Sequence, residues 1–161
     1  MGYDTDFTGS FSLDRPLDKE TKKILKGLNY TRRVKRDPNK LAKELDITPR
    51  ECIKLYGEEC EFYFNFDDDF GQSETGGIID INSPPDCQPS LWCKWHYNEK
   101  DNTIEWDGAE KFYEYIPWIE YLIKNILEPK NYKLNGSVRW DGEEFGDVGT
   151  ILIKDNNVYI G

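Results

Sequence analysis

The chain has 161 residues, 37% hydrophobic, 14% aromatic and 32% charged, with a formal net charge of −10 at pH 7. That length suits a single domain, residues 1–161, with a core rich in large rings. The acidic balance argues against general nucleic-acid affinity, no apolar run approaches the roughly 18 residues that span a bilayer, and the acidic start MGYDTDFTGS lacks a secretory apolar stretch.

Residues 7–13, FTGSFSL, alternate as a first strand with Phe7, Gly9, Phe11 and Leu13 on one face. Asp14, Pro16 and Asp18 end it, and Asp18 is a good N-cap for a helix reaching Tyr30, with Ile24, Leu25 and Leu28 inward. TRRVKRDPNK then gathers Arg32, Arg33, Lys35, Arg36 and Lys40, the one locally basic run. Such a run suits a solvated helix end; its functional reading is an anion contact through Arg32 and Arg33. Residues 1–59 carry 13 basic and 11 acidic side chains, against 8 and 20 in residues 60–161, so the acidic excess belongs to the second part.

Residues 39–57 predict two short helices. Thr48, Pro49 and Glu51 spell a capping box with proline at the first helical position, and Gly57 suits the stop. Segment 41–56 imitates a helix-turn-helix, with Ala42 small and Leu45, Ile47 and Ile53 inward, and a DNA-binding regulator is one alternative function. Asp46 stands where glycine is usual in that turn, and a basic recognition helix is lacking, so residues 38–57 are expected to be a helical insertion. Residues 60–65, CEFYFN, predict a strand, and residues 66–89 a long loop of the functional kind. Asp67, Asp69 and Glu74 invite a calcium reading, but no register supplies the glycine and glutamate of an EF-hand loop. Asp69-Phe70-Gly71 has none of the companion motifs of a kinase.

Residues 84–108, PPDCQPSLWCKWHYNEKDNTIEWDG, predict a hairpin of strands near 90–97 and 103–107 turning at Glu99–Asn102. This register sets Trp95 opposite Trp106 and Tyr97 opposite Ile104 on a core face, with His96 opposite Glu105, and Trp92 nearby, on the other. A main helix is expected over 109–127, kinked or restarted at Pro117, with Phe112, Ile116, Ile119, Ile123 and Ile126 inward and Tyr113, Trp118 and Tyr121 on its flank. Three strands follow, 131–140, 147–154 and 157–160, the last two joined at Asp155-Asn156. Trp-Asp-Gly occurs twice, at 106–108 and 140–142, which suits two strand-end turns.

Cys52, Cys60, Cys87 and Cys93 form no CxxC and have no zinc-ribbon spacing, so free thiols are expected in a cytoplasmic protein, with disulfides the alternative that the even count leaves. No P-loop, dinucleotide fingerprint or nucleophile elbow occurs, so the sequence implies neither a cofactor nor a resident metal. His96 beside Glu105 could serve as an oriented general base in a hydrolase or transferase, with a divalent ion on Asp67, Asp69 or Asp80, but the chain has one histidine and no matching nucleophile. Aromatic and polar residues instead gather around the long loop, as in a ligand pocket. The candidate binding residues are Trp92, His96, Glu105, Trp118, Asp69, Gln72 and Gln88, with Arg32 and Arg33 for an anion.

MGYDTDFTGSFSLDRPL, TRRVKRD, DFGQ, INSPPDCQPSLWCKW, TIEWDGAEKFYEYIPWIEYLIKNIL and LNGSVRW occur in this order and cover most of the chain. They resemble a family of small bacterial and phage proteins of uncharacterised activity, from which residues 38–57 depart. The resemblance implies one compact domain and lends no catalytic residues. The expected fold is α+β: a mostly antiparallel sheet of six or seven short strands, two main helices on one face, the helical insertion, and the 66–89 loop over one end. The expected function is binding, of a small molecule or a host protein.

Overall fold

The structure, a computed structural model, describes residues 2–73 and 77–161. In chain order the elements are β1 (Thr5–Leu13), α1 (Lys19–Tyr30), β2 (Lys35–Arg36), α2 (Pro38–Leu45), α3 (Pro49–Tyr56) and β3 (Ile78–Asp80). There follow β4 (Trp95–Asn98), β5 (Thr103–Trp106), α4 (Tyr115–Leu122), β6 (Leu134–Gly142), β7 (Val148–Lys154) and β8 (Asn157–Ile160). The fold is α+β, as expected. The chain divides into two compact units: residues up to Leu25 with Lys94–Gly161, and Lys26–Cys93.

In the first unit six antiparallel strands run in the order β4-β5-β1-β6-β7-β8. β1 holds the middle because its alternation is regular: Phe7, Phe11 and Leu13 are buried while Thr8 and Ser12 are exposed. Glycine is required where β1 crosses β6. Gly9 (φ 110°) faces Val138 and Gly136 (φ 136°) faces Phe11, and a Cβ on Gly136 would lie 2.7 Å from the Ser10 carbonyl oxygen. The β4–β5 register is the one the side-chain parity requires, Trp95↔Trp106, His96↔Glu105 and Tyr97↔Ile104. Trp95 is buried, but Trp106 is only half-buried, its indole donating to the Ala109 carbonyl.

The main helix begins six residues later than the 109–127 expectation. Lys111 (φ 60°) and Glu114 (φ 58°) take left-handed conformations that a helix excludes, so α4 starts at Tyr115. Pro117 falls in its first turn, where backbone N–H groups have no intrahelical partner, and it starts the helix rather than kinking it. A π-helical turn (Ile123–Leu127) and a 3-10 turn (Glu128–Lys130) continue the path. Trp118, Ile119, Leu122, Ile123, Ile126 and Leu127 are all buried. Phe112 stays in the core without being helical. Its ring lies 5.2 Å from Trp95 and 5.7 Å from Phe7, and Trp95 donates its indole N–H to the Tyr115 carbonyl.

The second unit has little regular structure. β2 and β3 form a two-stranded sheet, so the 66–89 loop contains a strand of its own. The capping box of α3 forms as read, with Glu51 N–H donating to the Thr48 hydroxyl. Leu41, Ala42, Cys52 and Cys60 make the buried cluster beneath α2 and α3, with Ile47, Tyr56 and Tyr63 packed on it. Leu45 and Ile53, expected inward, are 39% and 42% exposed. CEFYFN is not a strand. Cys60 is left-handed (φ 55°), and the N–H groups of Phe62 and Tyr63 close local turns onto the carbonyls of Tyr56 and Cys60. Glu74 lies outside the described residues. Among those described, no helix is long and apolar enough to cross a membrane.

Asn156 closes the β7–β8 turn. Its Oδ1 accepts the Leu134 N–H at 2.7 Å, its Nδ2 donates to the Tyr132 carbonyl at 2.7 Å, and its φ is 72°. Asn156→Ala strands two buried backbone groups and should lower the unfolding free energy in urea by about 2–4 kcal/mol. Asp18 caps α1, and the Thr21 amide holds its carboxyl down from 3.8 to about 2. A depressed folded value stabilises above the unfolded value, and the contribution is lost as pH falls toward the folded one. The melting-temperature advantage of wild type over Asp18→Asn should therefore be full above about pH 5 and gone near about pH 2.

Candidate functional site

Six of the nine residues singled out from sequence, Arg32, Arg33, Asp69, Gln72, Gln88 and Trp92, lie in the second unit; His96, Glu105 and Trp118 lie in the first. Arg32 is partly exposed and Arg33 is 2% exposed.

Arg33 serves the interior. Its guanidinium donates to the carbonyls of Glu61 (2.5 Å) and Tyr63 (3.3 Å) and to Gln88 Oε1 (3.2 Å), and lies over the Phe64 ring. Gln88 Nε2 donates in turn to the Glu61 carbonyl at 2.9 Å. This explains the shape of residues 60–65: their carbonyls face a cation instead of a neighbouring strand. Arg36, also buried, donates to the Gly71 carbonyl at 3.0 Å and stacks on Tyr63. Arg33 and Gln88 are thus committed within the unit and not offered to a ligand.

Arg32 has the opposite disposition. Its Nε donates to the Ile81 carbonyl at 2.9 Å, and its two Nη atoms reach Gln72 Oε1 at 3.3 Å and Asn82 Oδ1 at 3.4 Å. Its guanidinium carbon lies 5.9 Å from the centre of the Trp92 ring. From Trp92 a row of rings continues to Phe70 at 6.3 Å, Tyr30 at 4.9 Å and Phe66 at 5.5 Å, ending under the Lys26 ammonium. Phe66 and Phe70 are 43% and 41% exposed. Asp69 shapes the turn that presents Phe70, accepting the Gly71 N–H at 3.2 Å and, through its carbonyl, the Gln72 amide at 3.1 Å. The Tyr30 hydroxyl donates to the Asp67 carbonyl, which anchors α1 to this loop. The structure therefore brings Arg32, Asp69, Gln72 and Trp92 together and adds Tyr30, Phe66 and Phe70. The signal for the two phenylalanines was present: they bracket the acidic run in FDDDF, where a solvated loop has no need of them.

The acidic residues around this loop sit in local turns, Asp69 and Asp80 through their carboxylates and Asp67 through its backbone. Asn65 Oδ1 accepts the Asp67 N–H, while Asp80 accepts the Asn82 N–H and the Ser83 hydroxyl, which hold its carboxyl below the ordinary range. One mixed cluster among the described residues could offer ligand atoms to a cation: Glu59, Glu61 and Cys87, within 4.8 Å of one another. Lys35 already sits 3.2 Å from Glu59 Oε2, and the Asp86 N–H donates to the same carboxylate. The Cys87 thiol donates to Glu61 and is pushed up to about 11, first by burial and then by that carboxylate. Lys35 thus already occupies the Glu59 carboxylate, and the Cys87 thiol occupies that of Glu61.

In the first unit His96 and Glu105 sit opposite each other, but Glu105 directs Oε1 to Asn98 Nδ2 at 2.9 Å and to the Thr103 hydroxyl at 2.8 Å. The Asn98 donation is the main reason its carboxyl is held below the ordinary range, and the charge of His96 contributes least. Trp118 is fully buried, edge-on to Tyr121, and belongs to the core. An open groove of about 300 Å³ lined by Glu120, Lys124, Glu128 and Asn157 mixes charges without selecting either sign. Comparison with family models, curated proteins and solved structures returns no match.

The two neighbouring arginines should separate cleanly under mutation. Arg33→Met leaves buried carbonyls without a donor and should cost about 3–5 kcal/mol of stability in urea. Arg32→Ala, at a half-exposed site, should cost less than about 1 kcal/mol.

Proposed function

We propose that the protein is a binding protein whose ligand, a small molecule or a host protein, is held on the ring row of the second unit. The observation that carries this reading is the exposure of Phe66 and Phe70 in one row with Tyr30 and Trp92. Single exposed apolar residues are ordinary on a protein surface, but a continuous aromatic row is the kind of patch that binding covers. Burying apolar surface contributes roughly 25 cal/mol per Å², and rings bring large area with few rotatable bonds. Arg32, Gln72 and Asn82 stand at one end of the row, already oriented by one another, and supply the few polar groups that fix a ligand's direction. The resemblance to bacterial and phage proteins favours a host factor where the ligand is a protein.

The test is a thermal-shift screen with nucleotides, cyclic nucleotides, sugars, divalent metals and short DNA, run on wild type, Trp92→Ala and Phe70→Ala. A ligand at a hundredfold excess over its dissociation constant adds about 2.7 kcal/mol of stability, enough for a clear rise in melting temperature. The expected outcome is a ligand whose shift falls in both variants while their unliganded melting temperatures stay close to wild type. A ligand that stabilises all three proteins equally would move the site off the row. A blank panel directs the search to a protein partner, by host-lysate capture on wild type with the Trp92→Ala protein as control.

A further inference from the structure

Helix α3 is unusual in how it is held. Of its eight residues, only Cys52 is buried, while Ile53 and Leu55 are 42% and 60% exposed. An isolated helix of this length is not stable in water, so α3 depends on that contact, on the half-buried Tyr56 packed on the same cluster, and on its caps. Beyond α3 the chain reverses. Gly57 N–H closes onto the Ile53 carbonyl, Cys60 N–H onto the Gly57 carbonyl and Phe62 N–H onto the Tyr56 carbonyl. Cys60 takes a left-handed backbone at φ 55°, a conformation that disfavours non-glycine residues and needs support from its surroundings. The result is that Cys60 returns beneath the helix into the same buried four-residue cluster as Cys52, close enough that each thiol perturbs the other's ionisation.

We infer that Cys52 and Cys60 are a reversible dithiol–disulfide site, closed to reagents while α3 is docked and oxidised when α3 lifts. Docked, both thiols are neutral: burial is the main cause, and it pushes Cys60 up to about 12. Lifted, they return to the ordinary range near about 8.5, where a fraction is thiolate at neutral pH. A segment held by so few buried side chains opens at a free energy below that of global unfolding.

The oxidant is a small disulfide such as oxidised glutathione. One cysteine thiolate attacks a sulfur of that disulfide; the S–S bond breaks, one glutathione thiolate leaves, and a mixed disulfide forms. The second cysteine, deprotonated, attacks the protein-bound sulfur and releases the second glutathione. Two protein S–H groups become one S–S bond, two electrons reduce the small disulfide, and the two protons end on the released thiols. The bond would fix α3 to the chain beyond Gly57 and prevent its lifting.

The test uses a Cys87→Ser protein, which removes the exposed thiol. It is incubated, folded, with oxidised glutathione, quenched in acid, and read by intact mass and peptide mapping. The expected product has lost two hydrogens, maps to Cys52–Cys60 and reverts with dithiothreitol. With N-ethylmaleimide, Cys52 and Cys60 should alkylate at one common rate, matching amide exchange in α3 and about tenfold or more above that of buried Cys93. Cys52→Ala should turn the loss of two hydrogens into a single glutathione adduct at Cys60. If that variant does not fold, the Cys93 comparison in the parent protein still decides. A pair that oxidises only in denaturant, or that alkylates no faster than Cys93, overturns the proposal.

Discussion

One guanidinium organises the second unit. A stretch such as CEFYFN has every local reason to be a strand, being aromatic, alternating and free of glycine and proline. It is not one because Arg33 reaches the carbonyls of Glu61 and Tyr63 from the interior and Gln88 completes the node. Buried carbonyls must be satisfied, and a strand partner is only one way to do so. A charged donor satisfies them more strongly than an amide does, and its planar fork serves two acceptors at once. Irregular backbone can therefore be held in one place without a ladder, and a long loop on such a backbone gains a fixed shape.

The first unit solves the same problem by packing. Phe7 touches the rings of Trp95, Trp106, Phe112 and Tyr115, all within 5.7 Å of its centre. Its strand is central, so this cluster joins the β4–β5 hairpin to the segment entering α4. Edge and tilted contacts of this kind add to the area they bury. The two left-handed residues ahead of α4 fit the same logic: Phe112 must turn inward beside Trp95 before the helix begins, and Lys111 and Glu114 absorb the change of direction.

Where the sequence was legible, one physical signal dominated each element. Alternation fixed β1, cross-strand parity fixed the β4–β5 register, and the capping box fixed the start of α3. Misreadings arose where a distant partner outweighed the local pattern. Residues 109–114 have helical composition, but Phe112 is claimed by the core while Tyr113 stays exposed. Leu45 and Ile53 look inward on a helical wheel, yet the second unit has too small an apolar cluster to bury them. The candidate site was legible in part. Asp69, Gln72 and Trp92 are polar and aromatic residues around a long loop, and Arg32 belongs to the one locally basic run. Tyr30, Phe66 and Phe70 were missed: the phenylalanines bracketing FDDDF carry a readable signal, but nothing local marks the helix-end Tyr30 as their partner. Trp118 was drawn in by its aromatic neighbours and lies in the core.

The second unit thus reverses the usual partition of side chains. Arg33 and Arg36 are inside, at 2% and 3% exposure, while Phe66, Phe70, Leu55 and Ile79 are outside. Burying a cation is unfavourable unless several acceptors surround it, and the backbone of residues 60–71 supplies them. An interior of that kind specifies loop positions through directional bonds rather than through volume. It leaves rings free to stand at the surface, because the fold does not need them in a core. A surface of this type suits recognition: the scaffold is fixed by hydrogen bonds that a ligand does not touch, and the apolar area remains to be covered. The same arrangement leaves α3 lightly anchored, since a core built on polar contacts offers it one buried thiol and one half-buried ring to sit on. Ring exposure and the lightly held helix have a common origin in the choice of arginine over apolar packing at the centre.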